Sequence, residues 1–221
     1  MIPRELVATA AVPGGGELRL VRRGEEYSIM LGANELMNSR LSGSEEALAA
    51  LACARLAAVD RPHILIGGLG MGFTLRAALA QLGAAEIVVA ELVPAVVEWA
   101  RGAMAHIFAG SLDDPRVKVS IGDVGGLIVP GAAWDAILLD VDNGPDALSR
   151  AENDRLYDLE GLRRTRTALG RGGVLAVWSS APDSRFTARL KQAGFAVEET
   201  VVRARGGGRG ARHLIWLATA P

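Results

Sequence analysis

Three acids in this chain of 221 residues stand where apolar runs end. Glu91 closes Glu86-Ile-Val-Val-Ala-Glu91. Asp123 follows Val117-Lys-Val-Ser-Ile121 and Gly122, and Asp140 closes Trp134-Asp-Ala-Ile-Leu-Leu-Asp140. Glu91 lies about twenty residues past a glycine cluster, where an acid can accept both hydroxyl protons of a ribose. Asp123 is placed to meet the exocyclic amine of a base, and is equally a turn-former after Gly122. Asp140 opens Asp140-Val-Asp-Asn-Gly-Pro145, two carboxylates and an amide that no apolar spacing explains. If an amine is the nucleophile, Asp140 is its natural proton acceptor, with Asp142 and Asn143 beside it. Asn143-Gly-Pro145 also has the composition of a turn.

The glycine cluster lies in His63 to Gly72, HILIGGLGMG. Ile64, Leu65 and Ile66 read as a strand buried on both faces. Gly67, Gly68, Gly70 and Gly72 follow, and Phe73 to Leu82 has helical apolar spacing. Glycines let the backbone turn tightly and approach a ligand, and the helix offers unpaired N–H groups to it. A dinucleotide fingerprint requires G-x-G-x-x-G. Here Gly68-Leu-Gly70-Met-Gly72 is G-x-G-x-G, and Phe73 stands where the third fingerprint glycine would be. The pattern is nearer to the first motif of S-adenosylmethionine (AdoMet) enzymes, and it sets Asp140 beside the expected sulfonium.

The elements that must position these residues alternate. Residues 1–41 form a β-rich region, with a hairpin from Glu17–Val21 and Tyr27–Leu31 turning at Arg23-Gly-Glu25. A lone hairpin is marginal in water, so it must pack on the rest of the chain or on a second copy. Ser42-Gly-Ser-Glu45 reads as a capping box for a helix reaching Val59. Residues 42–221 then run strand, helix, strand: helices over Pro94–Met104 and Arg155–Leu169, and a strand over Val174–Trp178. A further helix opens with Pro182 at its first position, and Phe195–Val202 with His213–Ala218 closes as an antiparallel hairpin. This is an α/β, Rossmann-like, mostly parallel sheet, in which ligands bind beyond the carboxyl ends of the strands. Gly70, Glu91, Asp123, Asp140 and Trp178 all fall there.

Composition excludes several classes. Formal charges sum to −1, so no global field attracts nucleic acid or a membrane surface. One cysteine, Cys53, excludes an internal disulfide and fits a reducing cytoplasm. His63, His106 and His213 are scattered without metal-ligand spacing, so no metal is expected. No apolar run spans a bilayer, and no signal peptide is evident. Arg203–Arg212, RARGGGRGAR, mimics an RNA-binding segment, but between two strands it reads as a hairpin loop.

From about Leu18 to Phe195 the chain resembles the spermidine synthase (polyamine aminopropyltransferase) family. The resemblance rests on ILIGGLGMG, VVAELVPAVVEWAR, DPRVKVSIGDV, WDAILLDVDNGP and LGRGGVLAVW. It implies a class I methyltransferase-like fold, a small N-terminal β-domain and a homodimer. It also implies that Glu91 binds ribose, that Asp123 meets the adenine region and that Asp140 deprotonates the attacking amine. The chain departs from the family at three places. The family's glycine motif carries an Asp, expected to hold the aminopropyl ammonium of decarboxylated AdoMet, and that Asp falls on Gly70. Its polyamine-pocket segment falls on Ser44, Glu45, Leu48, Ala49 and Ala50, leaving Glu45 as the matching acid. Its second loop Asp falls on Asn143. The expectation is therefore a sulfonium-dependent transferase acting on a small acceptor, with an amine as one candidate, and with Glu45 and Trp178 toward that acceptor. Methyl transfer from AdoMet is placed ahead of aminopropyl transfer from decarboxylated AdoMet, and a non-catalytic nucleoside-binding protein is the third reading.

Overall fold

The computed structural model describes residues 2–141, 155–205 and 209–221. Its N-terminal part is a four-stranded antiparallel sheet: β1 (Glu5–Ala11), β2 (Glu17–Arg23), β3 (Glu26–Leu31) and β4 (Asn34–Asn38), in that order. The expected hairpin is its centre, with Leu18 facing Leu31 and Leu20 facing Ile29. β1 and β4 flank it. The Ala residues of β1 and the polar ends of β4 carry little strand signal, and pairing makes them strands.

Alternation along β2 and β3 buries Leu18, Leu20, Tyr27 and Ile29. These join one apolar core with Leu48, Leu69, Met71, Phe73 and Met104 of the rest of the chain. The sheet is thus covered by its own chain, and a second copy is not needed to bury it.

Helix α1 (Gly43–Ala54) leads into β5 (His63–Gly67), α2 (Phe73–Gln81), β6 (Glu86–Glu91) and α3 (Pro94–Arg101). A short turn of helix, α4 (Ala105–Phe108), precedes β7 (Val117–Ile121) and β8 (Trp134–Leu139). Then come α5 (Leu159–Ala168), β9 (Leu169–Ser179), α6 (Ser184–Gln192), β10 (Ala196–Arg205) and β11 (Arg209–Thr219). The sheet order is β10-β11-β9-β8-β5-β6-β7, with the β9–β11 and β11–β10 pairs antiparallel and the others parallel. Ile64, Ile66, Ala136, Leu138 and Ala176 enter one core, whereas Leu65, Ile137, Leu139, Leu175 and Val177 enter another. Side chains alternate across a strand, so these are the two faces of one sheet buried on both sides.

Several boundaries differ from the sequence reading. The helix of Ser42–Glu45 has no capping box: Ser42 makes no side-chain cap bond, and the Glu45 carboxylate accepts from Ser44 Oγ at 2.7 Å. That helix ends at Ala54, short of Val59, and α3 ends at Arg101 before Gly102. The helix expected over Arg155–Leu169 is interrupted at Asp158: Arg155–Tyr157 are helical, and α5 starts afresh at Leu159, where Asp158 accepts from the Gly161 N–H at 2.7 Å. Pro182 lies outside α6, because Asp183 caps it by accepting from the Arg185 N–H at 2.8 Å. The strand expected over Val174–Trp178 is longer: β9 starts at Leu169, and Gly170–Gly173 form an irregular stretch between the pairs Trp134–Leu169 and Ala136–Val174.

Candidate active site

Strand register gathers the predicted acids. Gly67 pairs with Ala90 on one side and Leu139 on the other, and Glu91 pairs with Ile121. The ladder continues one step further: Gly68 N–H donates to Ala90 O (2.9 Å), Asp140 N–H to Gly67 O (3.0 Å) and Gly122 N–H to Glu91 O (2.8 Å). Gly68, Glu91, Asp123 and Asp140 therefore line one cavity of about 150 Å³. It opens where the strand order reverses about β5, the ligand position of open α/β sheets. Its other wall is apolar and comes from the N-terminal sheet, through Leu18, Ile29, Leu31, Leu36 and Met37.

The glycines divide by role. Gly68 has φ of +92°, and a Cβ there would lie 2.5 Å from Asp140 O, so only glycine allows the loop to approach β8. Gly70 lines the cavity, and a Cβ on it would meet Met37 Sδ at 3.0 Å. The space that an Asp side chain would take is thus held by a thioether from β4. Gly67 and Gly72 do not line the cavity. Gly67 packs against Val124 and Leu139, and Gly72 lies against the Phe108 ring, where a Cβ would come within 2.4 Å.

Glu91 is buried, with Oε2 accepting from the Leu69 N–H (3.0 Å) and Oε1 from the Val93 N–H (2.8 Å). Burial raises its pKa and those N–H donors oppose the rise. The side chain clamps the glycine loop to β6 while facing the cavity. Asp123 is exposed and its Oδ1 accepts from the Gly125 N–H at 2.7 Å, forming the turn that was its other reading.

Asp140 sits between the cavity and a polar cluster. Its Oδ2 accepts from Thr74 Oγ1 at 2.8 Å. Burial pushes its carboxyl up to about 7, the negative charge of Glu45 adds to the rise, and the Thr74 bond opposes it. Burial likewise raises Glu45, against the hydrogen bond from Ser44. His213 Nδ1 lies 2.9 Å from Ser44 Oγ, and the Trp178 ring meets the His213 ring edge-on, centroids 4.8 Å apart. Asp142 and Asn143 lie outside the described residues.

Sequence reasoning missed His213, Ser44, Thr74 and Met37. Thr74, in the first turn after the glycine loop, carried a local signal; the others meet the site only through folding. Cys53 packs in the core, where burial pushes its thiol up to about 11, away from reactivity. Among the described residues no cluster of His, Cys, Asp or Glu has the composition to hold a metal ion. No helix among them is long and apolar enough to cross a membrane.

No family model matches the chain. A polyamine aminopropyltransferase of Mycobacterium tuberculosis is 38% identical over 144 residues, 61% of this chain and 27% of that protein. One from Sulfolobus acidocaldarius is 28% identical over 124 residues, 56% of this chain and 40% of that protein. The chain therefore matches well under half the length of these curated relatives. Among solved structures, a spermidine synthase from Thermotoga maritima superposes with a TM-score of 0.77 at 17% identity, covering 98% of this chain and 73% of that one. A spermidine synthase in complex with the transition state analogue AdoDATO gives 0.74 at 16% identity, covering 98% and 72%. In sequence and in architecture, this chain is a spermidine synthase-like protein with a class I methyltransferase-like fold.

Proposed function

We propose that the chain transfers an aminopropyl group from decarboxylated AdoMet to a small amine. One observation carries the acceptor: Asp140 lines the cavity and lies close enough to Glu45 for that second carboxylate to raise its protonation. A cation seated between them relieves that repulsion and replaces its own lost water. The names of the curated relatives support the same reading and give none to methyl transfer, the reading placed first from the sequence.

The reaction is an in-line displacement at a carbon bound to S⁺. The protein's task is to align nucleophile and carbon, exclude water and take a proton. Glu91 and Asp123 would hold the nucleoside, the apolar wall of the N-terminal sheet would cover it, and Asp140 would accept the amine proton. A carboxyl that titrates near 7 is matched to that step at neutral pH.

The donor is tested by calorimetry with AdoMet, decarboxylated AdoMet and methylthioadenosine, followed by turnover with a diamine. Like charges ~4 Å apart at an effective dielectric of about 20 repel by roughly 4 kcal/mol, and a third of that is tenfold in affinity. With Asp140 as the carboxylate that faces the tail, the tail carboxylate of AdoMet should therefore weaken its binding about tenfold relative to the decarboxylated form. A preference for AdoMet would return methyl transfer to first place, because the Gly70–Met37 wall is neutral.

A further inference from the structure

His213 reaches the acceptor side of the site from the far end of the chain. It stands on β11, opposite Val202 of β10, and is half-buried. Its Nδ1 lies 2.9 Å from the Oγ of Ser44, a residue only 1% exposed. Ser44 donates to Glu45 Oε2 at 2.7 Å, so the imidazole donates its Nδ1–H to Ser44, a tautomer assigned from that polarity. His213 meets Ser44 of α1 and Trp178 of β9 and stands opposite Val202 of β10, and Glu45 lies one hydrogen bond further on, behind Ser44. Its nearest cations by register are Arg212 and Arg203, paired one step along the hairpin. Nothing in the packing of β10, β9 and β11 needs an imidazole there, and the residues after it, Leu214 to Leu217, are apolar and buried.

We propose that His213, acting through Ser44, holds the Glu45 carboxylate toward Asp140 and takes the proton that an ammonium acceptor gives up on becoming a nucleophile. This rests on the aminopropyl reading and deepens it. Asp140 takes the proton from the ammonium N–H and yields it to the neighbouring Glu45, Glu45 O–H passes one to Ser44 Oγ, and the Ser44 hydrogen moves to Nδ1. The Nε2 proton of the imidazolium leaves to water. The freed nitrogen lone pair forms the C–N bond as the C–S bond breaks, and its electron pair stays on sulfur. The secondary ammonium product keeps its protons, so one proton is released per transfer. The polarity in the structure, Nδ1–H to Oγ–H to Oε2, is the state reached after this discharge. His213 is a positioning residue for Glu45 and a proton outlet, and burial holds its pKa below the usual imidazole value, which favours rapid release to solvent.

Ring nitrogen NMR separates this from simple packing, because the chain has three histidines and His213→Asn assigns the third. Loss of the carboxylate in Glu45→Gln should lower the His213 titration midpoint by about half a pH unit or more. An unchanged midpoint overturns the coupling. In turnover with decarboxylated AdoMet and a diamine, His213→Asn keeps a donor near Ser44 but cannot titrate. Its kcat should fall about tenfold or more at neutral pH and lose one ionisation from the pH profile, with KM for the nucleoside unchanged. A wild-type pH profile in that variant overturns the outlet. A wild-type protein that turns over no diamine overturns the aminopropyl reading by itself, and the Glu45–His213 titration still decides the coupling.

Discussion

Asp140 carries opposite demands on stability and chemistry. Its carboxyl is raised by burial and by Glu45, so the folded state binds its proton more tightly than the unfolded chain does. Stability from this group is complete below the ordinary aspartate value of about 4, and is lost as pH rises through about 7. A tenfold difference in proton affinity between the folded and unfolded chain is worth roughly 1.4 kcal/mol. Denaturant unfolding at pH 5 and pH 8 should show the wild type weaker at pH 8, and Asp140→Asn should flatten that difference while lowering turnover roughly 10²–10⁴-fold. Gly70 makes a second residue-scale case. An Asp there must displace Met37 Sδ and accept a φ of +51°. Gly70→Asp alone should cost about 1–2 kcal/mol of stability. Combined with Met37→Ala, it should strengthen binding of decarboxylated AdoMet over AdoMet by about another tenfold, read by calorimetry.

At the scale of elements, the glycine loop is set by what packs behind it as much as by what binds in front. Gly72 caps α2 with φ of +75°, and its missing Cβ makes room for the Phe108 ring of α4. Gly72→Ala should destabilise by about 2–3 kcal/mol in urea unfolding, and Phe108→Leu should recover part of that loss. The capping box expected at Ser42–Glu45 fails for a related reason. A glutamate at the third helical position can satisfy its own helix or reach a neighbour, and here it accepts from Ser44, whose hydroxyl is in turn held by His213 of β11. A local motif specifies a local bond only when no tertiary partner competes.

Over the whole molecule, the N-terminal sheet is part of the main core and one wall of the site. Leu20 is fully buried among residues from both sheets. Leu20→Ala should therefore lower the stability of the entire chain by about 2–5 kcal/mol. Fluorescence and circular dichroism should report one coincident transition; an early, separate melting of the N-terminal sheet would show that the two sheets are independent.

Legible along the chain were the features written in short stretches: the buried runs of β5, β6 and β8, the glycine turn after β5, and the acids at the ends of β6, β7 and β8. Period, β-branching and turn chemistry act within a few residues, and parallel strands in register bring their ends to one edge whatever lies between. Glu91, Asp123 and Asp140 were legible for that reason, and so was the family resemblance. Four features had no local trace: Met37 over Gly70, the direction taken by Glu45, β1 and β4 as strands, and His213 against Ser44, 169 residues away. Each depends on which surfaces meet when two sheets share a core. Only the tertiary structure decides that, because a side chain's partner is chosen by burial and charge across the fold rather than by its neighbours along the chain.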